Sequence, residues 1–453
     1  MNHLKRTVFR DWKGDPMAQT HKLVKRIEQM VVNSCPDTAP GSAILLVKNG
    51  QVLYRRGIGL ANLEHLVPLA PDMPFRLGSI TKPVTATAIL MLAEAGELAL
   101  TDPISLLLPD YPMGETPITP EHLLTHTSGI PNYTELTEWF AVHRQDFSVD
   151  QLIDVFRTHP KAFAPGTRWA YSNSGYVLLG AIIEKISGKS YGEFLADHIF
   201  TPLKMSDTSY ESTTSRVIPH MAGGYSPGPG AYLHAEYLSY TQLHAAGGLV
   251  STLDDLARWF TALRDGNLLA EETLRKMWTP YLLSDGTSAR YGYGWWLGEW
   301  QGHRVAEHYG SLPGYAAQLL ALPDDDILVI ILSNDEGKLN LTEQLAVEMA
   351  AMTLGKPYQP PAAILLPTPE LRQVAGTYTT GDGLQLTLAD EAGQMVLQLS
   401  SGERFRLQPY SPREFFFPEI PASRLVFSRR QNLVTGLTWL PRRGMPVHAQ
   451  KTS

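Results

Sequence analysis

Strand-like sequence occurs in two blocks of this chain, one before and one after a long helical stretch. That split constrains the fold more than any other feature. The first block runs from Ala43 to Val47, then Asn49-Gly50, then Gln51 to Arg55. Asn-Gly between two apolar runs favours a type I′ turn, so this block predicts a hairpin. The second block comprises Gly292 to Leu297, Arg304 to His308, Ala316 to Leu322 and Ile327 to Leu332. Residues 97–290 between them read as helices joined by Pro/Gly-rich loops. Helical spacing of apolar residues over Thr20 to Val32, and again over Leu341 to Leu354, brackets the whole. The blocks make sense as one antiparallel sheet covered by helices, with a helical subdomain set beside it. That is an α/β architecture of the α+β kind.

The chain has 453 residues, too many for one ordinary core. Pro357, Pro360, Pro361, Pro367 and Pro369 mark a stiff linker. Beyond it Leu384 to Leu388 alternates, as do Val396 to Leu399 in part and Arg404 to Leu407. Turns fall at short intervals, which reads as a small all-β sandwich or barrel. The expected division is an extension over 1–19, a main unit over 20–355, a linker over 356–369 and a β unit over 370–453.

Composition excludes several classes. Apolar residues make up 43% and charged residues 18%, as in a soluble globular protein. A net charge of −7 without a basic patch leaves no footprint for nucleic acid. One cysteine, Cys35, allows no internal disulfide framework. No run of 18 apolar residues predicts a membrane span. Asp11, Lys13 and Asp15 interrupt the place where a signal peptide's apolar region would sit. The default expectation is therefore a cytoplasmic protein, with a leaderless form of an exported one as the alternative. No cofactor or metal is expected. His122 and His126 are four apart but lack the Glu and the third ligand of a zinc motif. Asp324-Asp325-Asp326 reads as a solvated turn.

Chemistry concentrates at Gly78-Ser79-Ile80-Thr81-Lys82, which opens the apolar helical segment Val84 to Ala95. Ser79 and Lys82, at i and i+3 on a first helical turn, share a face about 4.5 Å apart along the axis. A lysine kept neutral can take a serine's proton, and a helix N-terminus offers free N–H groups to developing negative charge. Alone, such a spacing is more often a capped helix start. Two further motifs follow in order, Tyr171-Ser172-Asn173 and His308-Tyr309-Gly310.

Together these three motifs resemble the serine β-lactamase and penicillin-binding-protein superfamily. The branch they resemble is that of class C β-lactamases, D,D-carboxypeptidases, D-aminopeptidases and family VIII carboxylesterases. Leu123 to Gly129, Pro165-Gly166-Thr167 and Gly310 through Tyr315 resemble further fingerprints of that branch. The resemblance covers about residues 20–355, and the tail resembles the lipocalin-like domain of some members. It implies a β-lactamase-like fold followed by a small β-barrel. It also implies Ser79 as nucleophile, with Lys82 and Tyr171 sharing proton transfer. Asn173 and His308 would bind substrate or tune charge, with Gly310 on the same strand. The backbone N–H groups of Ser79 and Ser311 would form an oxyanion hole. His308 stands where many relatives carry lysine, so its charge would depend on pH. No separate glutamate for deacylation is evident, which leaves that step to Tyr171 and Lys82.

The leading expectation is hydrolysis of a small ester, amide or D-amino-acid peptide through an acyl-enzyme. β-Lactamase or D,D-carboxypeptidase activity is the alternative. A penicillin-type sensor or an inert scaffold is the rival of another class. The tail has three candidate roles: capping the cleft, mediating homo-oligomerisation, or adding stability. Gly224-Tyr225-Ser226-Pro227-Gly228 matches G-x-S-x-G, but with no apolar strand before it the match is set aside. Trp295 and Trp296 are read as core and rim of a strand, one of them a candidate for the cleft wall.

Overall fold

The computed structural model describes residues 16–453 apart from 113–114, 212, 214–215, 358–361, 382, 392, 401, 419–422, 432, 444–445 and 453. Most of the expected N-terminal extension, and Pro360 and Pro361 of the linker, lie outside the described residues.

A six-stranded antiparallel sheet carries the main unit. In chain order its elements are α1 (Pro16–Ser34), β1 (Ser42–Lys48), β2 (Gln51–Ile58), α2 (Thr81–Glu94), α3 (Asn173–Ser187) and α4 (Leu253–Arg264). There follow β3 (Trp296–Trp300), β4 (His303–Leu312), β5 (Tyr315–Leu322), β6 (Ile327–Ser333) and α5 (Leu339–Thr353). The sheet order is β3-β4-β5-β6-β1-β2. The two sequence blocks therefore join where β6 pairs with β1, Leu45 opposite Ile330. Asn49 and Gly50 both take positive φ, 51° and 68°, as the expected turn requires.

The central strands are buried on both faces. Alternate residues serve two cores, because side chains on a strand point to opposite faces. Ile44, Leu46, Val329 and Ile331 pack with Ile27 and Val31 of α1 and Leu345 and Met349 of α5. Ala43, Leu45, Leu328 and Ile330 join the larger core that holds Val84, Ile89 and Leu178 of the helical region. A helix apolar all round belongs inside. Accordingly α2 is buried at eleven positions from Thr81 to Leu92.

Two local readings change. Gly292 to Trp295 is not strand. That edge strand begins at Trp296, because Gly294 sits at φ 82° against the backbone of Lys82 and Pro83. Ser79 lies not in the α-helix but in a 3-10 turn, Gly78–Ile80, that feeds it.

The tail is a closed eight-stranded barrel running from Gly376–Thr380 to Val447–Lys451. Its interior is filled by its own side chains, among them Tyr378, Leu397, Phe415 and Phe427. The turn after the barrel strand Leu433–Leu440 reaches the main unit. There Arg442 contacts Glu307 and Glu343 at 2.8 and 2.7 Å, and Arg443 contacts Glu343 at 2.7 Å. Burial opposes ionisation of Glu343, but the two guanidiniums hold its carboxyl below the usual range.

Candidate active site

The 3-10 turn delivers Ser79 at the start of α2 and against β4. The approach is close because glycine lines both sides. A Cβ at Gly310 would sit 1.9 Å from the Leu77 carbonyl and 3.3 Å from the Ser79 nitrogen, and one at Gly78 would sit 3.1 Å from the Ser311 nitrogen. The backbone amides of Ser79 and Ser311 are thus brought to neighbouring backbones, one from a helix start and one from a strand.

Lys82 Nζ lies 3.0 Å from Ser79 Oγ, 2.8 Å from Asn173 Oδ1 and 2.7 Å from the Ala246 carbonyl. The side chain is fully buried, and that burial pulls its pKa well below 10.5. A neutral amine has two hydrogens and one lone pair. Asn173 Oδ1 and the Ala246 carbonyl can only accept, so they take the two hydrogens. The lone pair then faces the Ser79 hydroxyl.

Tyr171 donates to Ser79 Oγ at 2.7 Å. Burial, reinforced by neighbouring Tyr309, pushes its phenol well above 10, so it stays protonated. Where sequence implied a shared proton, the structure sets an amine and a phenol against the same oxygen. Asn173 is the first residue of α3, with Ser172 in the N-cap position. Its amide nitrogen donates to Thr134 Oγ1 at 3.1 Å, which fixes Oδ1 toward Lys82.

At His308, where sequence left a charge that depends on pH, the structure encloses the ring. It is fully buried. Nδ1 is 2.7 Å from the Tyr309 carbonyl and must donate, so Nε2 accepts from the Tyr291 hydroxyl at 3.0 Å. Burial, with Lys82 nearby, pushes its pKa down to about 3. The imidazole is neutral and both nitrogens are engaged.

A cavity of about 1070 Å³ opens beside Tyr171, walled by Trp169, Trp296 and Tyr309 and, from the barrel, Trp439 and Arg443. The Arg443 guanidinium lies 4.7 Å over the Tyr309 ring. The Ala246 carbonyl, Thr134 and the barrel wall carry no local sequence signal; a carbonyl has none, and Arg443 lies far from the motifs in sequence. Among the described residues no group of three His, Cys, Asp or Glu is placed to hold a metal ion. Among them, too, no helix is long and apolar enough to cross a membrane.

A buried lysine on a serine, with a protonated phenol on the same oxygen, defines a serine hydrolase on this fold. The chain belongs to the Beta-lactamase family, whose model matches residues 30–351. Penicillin-binding protein 4* of Bacillus subtilis (strain 168) is 29% identical over 398 residues, covering 82% of this chain and 87% of that protein. The D-aminopeptidase of Gluconobacter oxydans (strain 621H) is 28% identical over 345 residues, 75% of this chain but only 63% of the relative. Among solved structures, the octameric penicillin-binding protein homologue from Pyrococcus abyssi matches with a TM-score of 0.68 at 26% identity. That match covers 94% of this chain and 99% of the other.

Proposed function

We propose that this protein hydrolyses a small ester or amide through an acyl-enzyme on Ser79, with a D-amino-acid amide or peptide as the favoured substrate class. The observation that carries the reading is the Lys82–Ser79–Tyr171 arrangement, 3.0 and 2.7 Å about one oxygen. Lys82 takes the Ser79 proton as Oγ attacks the carbonyl carbon. The developing oxyanion is met by the Ser79 and Ser311 amides. Tyr171 gives its proton to the leaving group, and the Lys82 ammonium restores it. In deacylation Lys82 draws the Tyr171 proton, the phenolate takes one from the water that attacks the acyl carbon, and the Lys82 ammonium returns one to Ser79 Oγ as it leaves.

The similarity to a D-aminopeptidase supports an amide over an ester. The octameric state of the archaeal homologue supports a homo-oligomer here. The test is hydrolysis of D-amino-acid amides, short-chain p-nitrophenyl esters and a chromogenic cephalosporin, with Ser79→Ala as control. Turnover of an amide or ester that Ser79→Ala abolishes is the expected result. A labelled penicillin that stays on Ser79 without any turnover would replace the hydrolase with a sensor. Absence of both labelling and turnover would leave a scaffold.

A further inference from the structure

His126 stands outside the proton-transfer set, yet the segment that carries Tyr171 is held by it. Its carbonyl accepts the Ala170 N–H at 3.0 Å. Its ring Nδ1 accepts the Ser172 N–H at 3.1 Å. The amides on either side of Tyr171 thus end on one residue. The imidazole also lies against the phenol itself, ring centroids 4.4 Å apart at 38°. Tyr176 and Tyr291 close the other sides at 5.1 and 4.8 Å. These contacts fix both the backbone and the ring plane of Tyr171, which is what aiming a hydroxyl at Ser79 requires.

Three observations describe the state in which the ring is held. His126 takes a left-handed φ of 58°, uncommon for a residue with a Cβ. The ring is 1% exposed, so the Ser172 amide would have no water to turn to if the acceptor were lost. With Nδ1 accepting, the proton must sit on Nε2, which is buried with no hydrogen-bond partner among the described residues. Buried polar groups are rarely left so. A ring kept in that state is held for its acceptor and its flat face. Burial disfavours an imidazolium, and the titratable groups that face the ring, Lys82 and His308, would oppose it further in their protonated forms.

We propose that His126 is a positioning residue for Tyr171: it aims the phenol at Ser79 by holding the amides of Ala170 and Ser172 and stacking on the ring. The inference rests on the hydrolase reading above only for the use made of Tyr171.

The test uses the full chain and three variants. His126→Asn keeps an acceptor at the same bond distance from Cβ and tolerates the left-handed region. His126→Phe keeps the ring without the acceptor. His126→Gly suits the positive φ and removes both. The readout is the rate constant for acylation of Ser79 by a fluorophosphonate and by the amide found to turn over. His126→Asn, which keeps the acceptor but gives up the stacked ring, should lose less than about tenfold. Phe and Gly should lose about 10- to 100-fold in acylation by the amide, with its KM nearly unchanged, and less than about tenfold with the fluorophosphonate, whose fluoride departs as a weak base. Combining either with Tyr171→Phe should add almost nothing to the loss from Tyr171→Phe alone, because residues acting through one another are non-additive. Additive losses, or wild-type acylation in His126→Gly, would overturn the inference. Hydrogen exchange across residues 169–174 reads the clamp without catalysis: Phe and Gly should speed exchange at Ser172. If the parent neither labels nor turns over while that exchange change appears, the hydrolase reading fails and the clamp stands. If exchange is also unchanged, the clamp fails too.

Discussion

Tyr171→Phe removes a single hydroxyl from the site, and the structure says which step should suffer. The ring is kept in place by its stack on His126, 4.4 Å away, and by the Lys82 amine 4.7 Å from its centroid. Only the 2.7 Å contact to Ser79 is lost, while Lys82 still meets that serine at 3.0 Å. One net hydrogen bond is worth about 0.5–1.5 kcal/mol, so unfolding should move little. A positioned general acid contributes roughly 10²- to 10⁴-fold, or about 3–5 kcal/mol of activation free energy. The loss should depend on the leaving group. An amine must be protonated as it departs, whereas a p-nitrophenolate departs as a weak base. Single-turnover acylation should therefore fall by the full factor with a D-amino-acid amide and by less than about tenfold with a p-nitrophenyl ester. An equal loss on both substrates would refute the acid role and leave Tyr171 as an aid to Ser79 alone. Full turnover in Tyr171→Phe would remove it from acylation and deacylation alike.

Other consequences are checked as directly. Lys82 must be neutral to act, so kcat/KM should rise with pH through a pKa below 10.5, with no descending limb from Tyr171 until well above pH 10. His308, pushed to about 3, should contribute no step between pH 5 and 8, and a step there that disappears in His308→Asn would contradict its burial. For stability the sign is the same: the unfolded lysine binds a proton that the folded one refuses, so stability rises with pH up to about 10.5, and titrating unfolding in Lys82→Ala should remove that slope. Gly310→Ala drives a methyl against the Leu77 carbonyl and should lower stability by roughly 1–3 kcal/mol, measured by urea unfolding, with acylation falling further. Arg442→Met with Arg443→Met strands Glu307 and Glu343 under the barrel and should cost about 3–5 kcal/mol. Adding Glu307→Gln and Glu343→Gln should recover part of that, and an unfolding midpoint unmoved by the arginine changes would show the barrel is not latched there.

Local chemistry made much of this protein legible from its residues in order. Asn49-Gly50 specifies its turn through backbone sterics, and the central strands declare themselves by apolar runs long enough to be buried on both faces. Ser79, Lys82, Tyr171 and Asn173 stood in motifs that a family resemblance gathered into one site, and the folded chain links them in one run of hydrogen bonds, Tyr171 to Ser79 to Lys82 to Asn173. Tertiary structure decided what those groups are. Protonation state depends on solvent exclusion, and exclusion is a property of neighbours far along the chain. Thus the enclosure of α2 pulls the Lys82 pKa well below its ordinary value, and the Ala246 carbonyl and Asn173 accept from its amine. His308, by contrast, looked like a titrating contact and is a neutral, fully engaged ring because Tyr291 and the Tyr309 carbonyl close on it. The barrel's place was equally invisible. Arg442 and Arg443 belong to no motif, and only the fold brings Glu307 and Glu343, more than ninety residues earlier, against them beside the cavity. Sequence determined which groups were present and which elements would carry them; only the fold decided which of them lost water, and with it their charge.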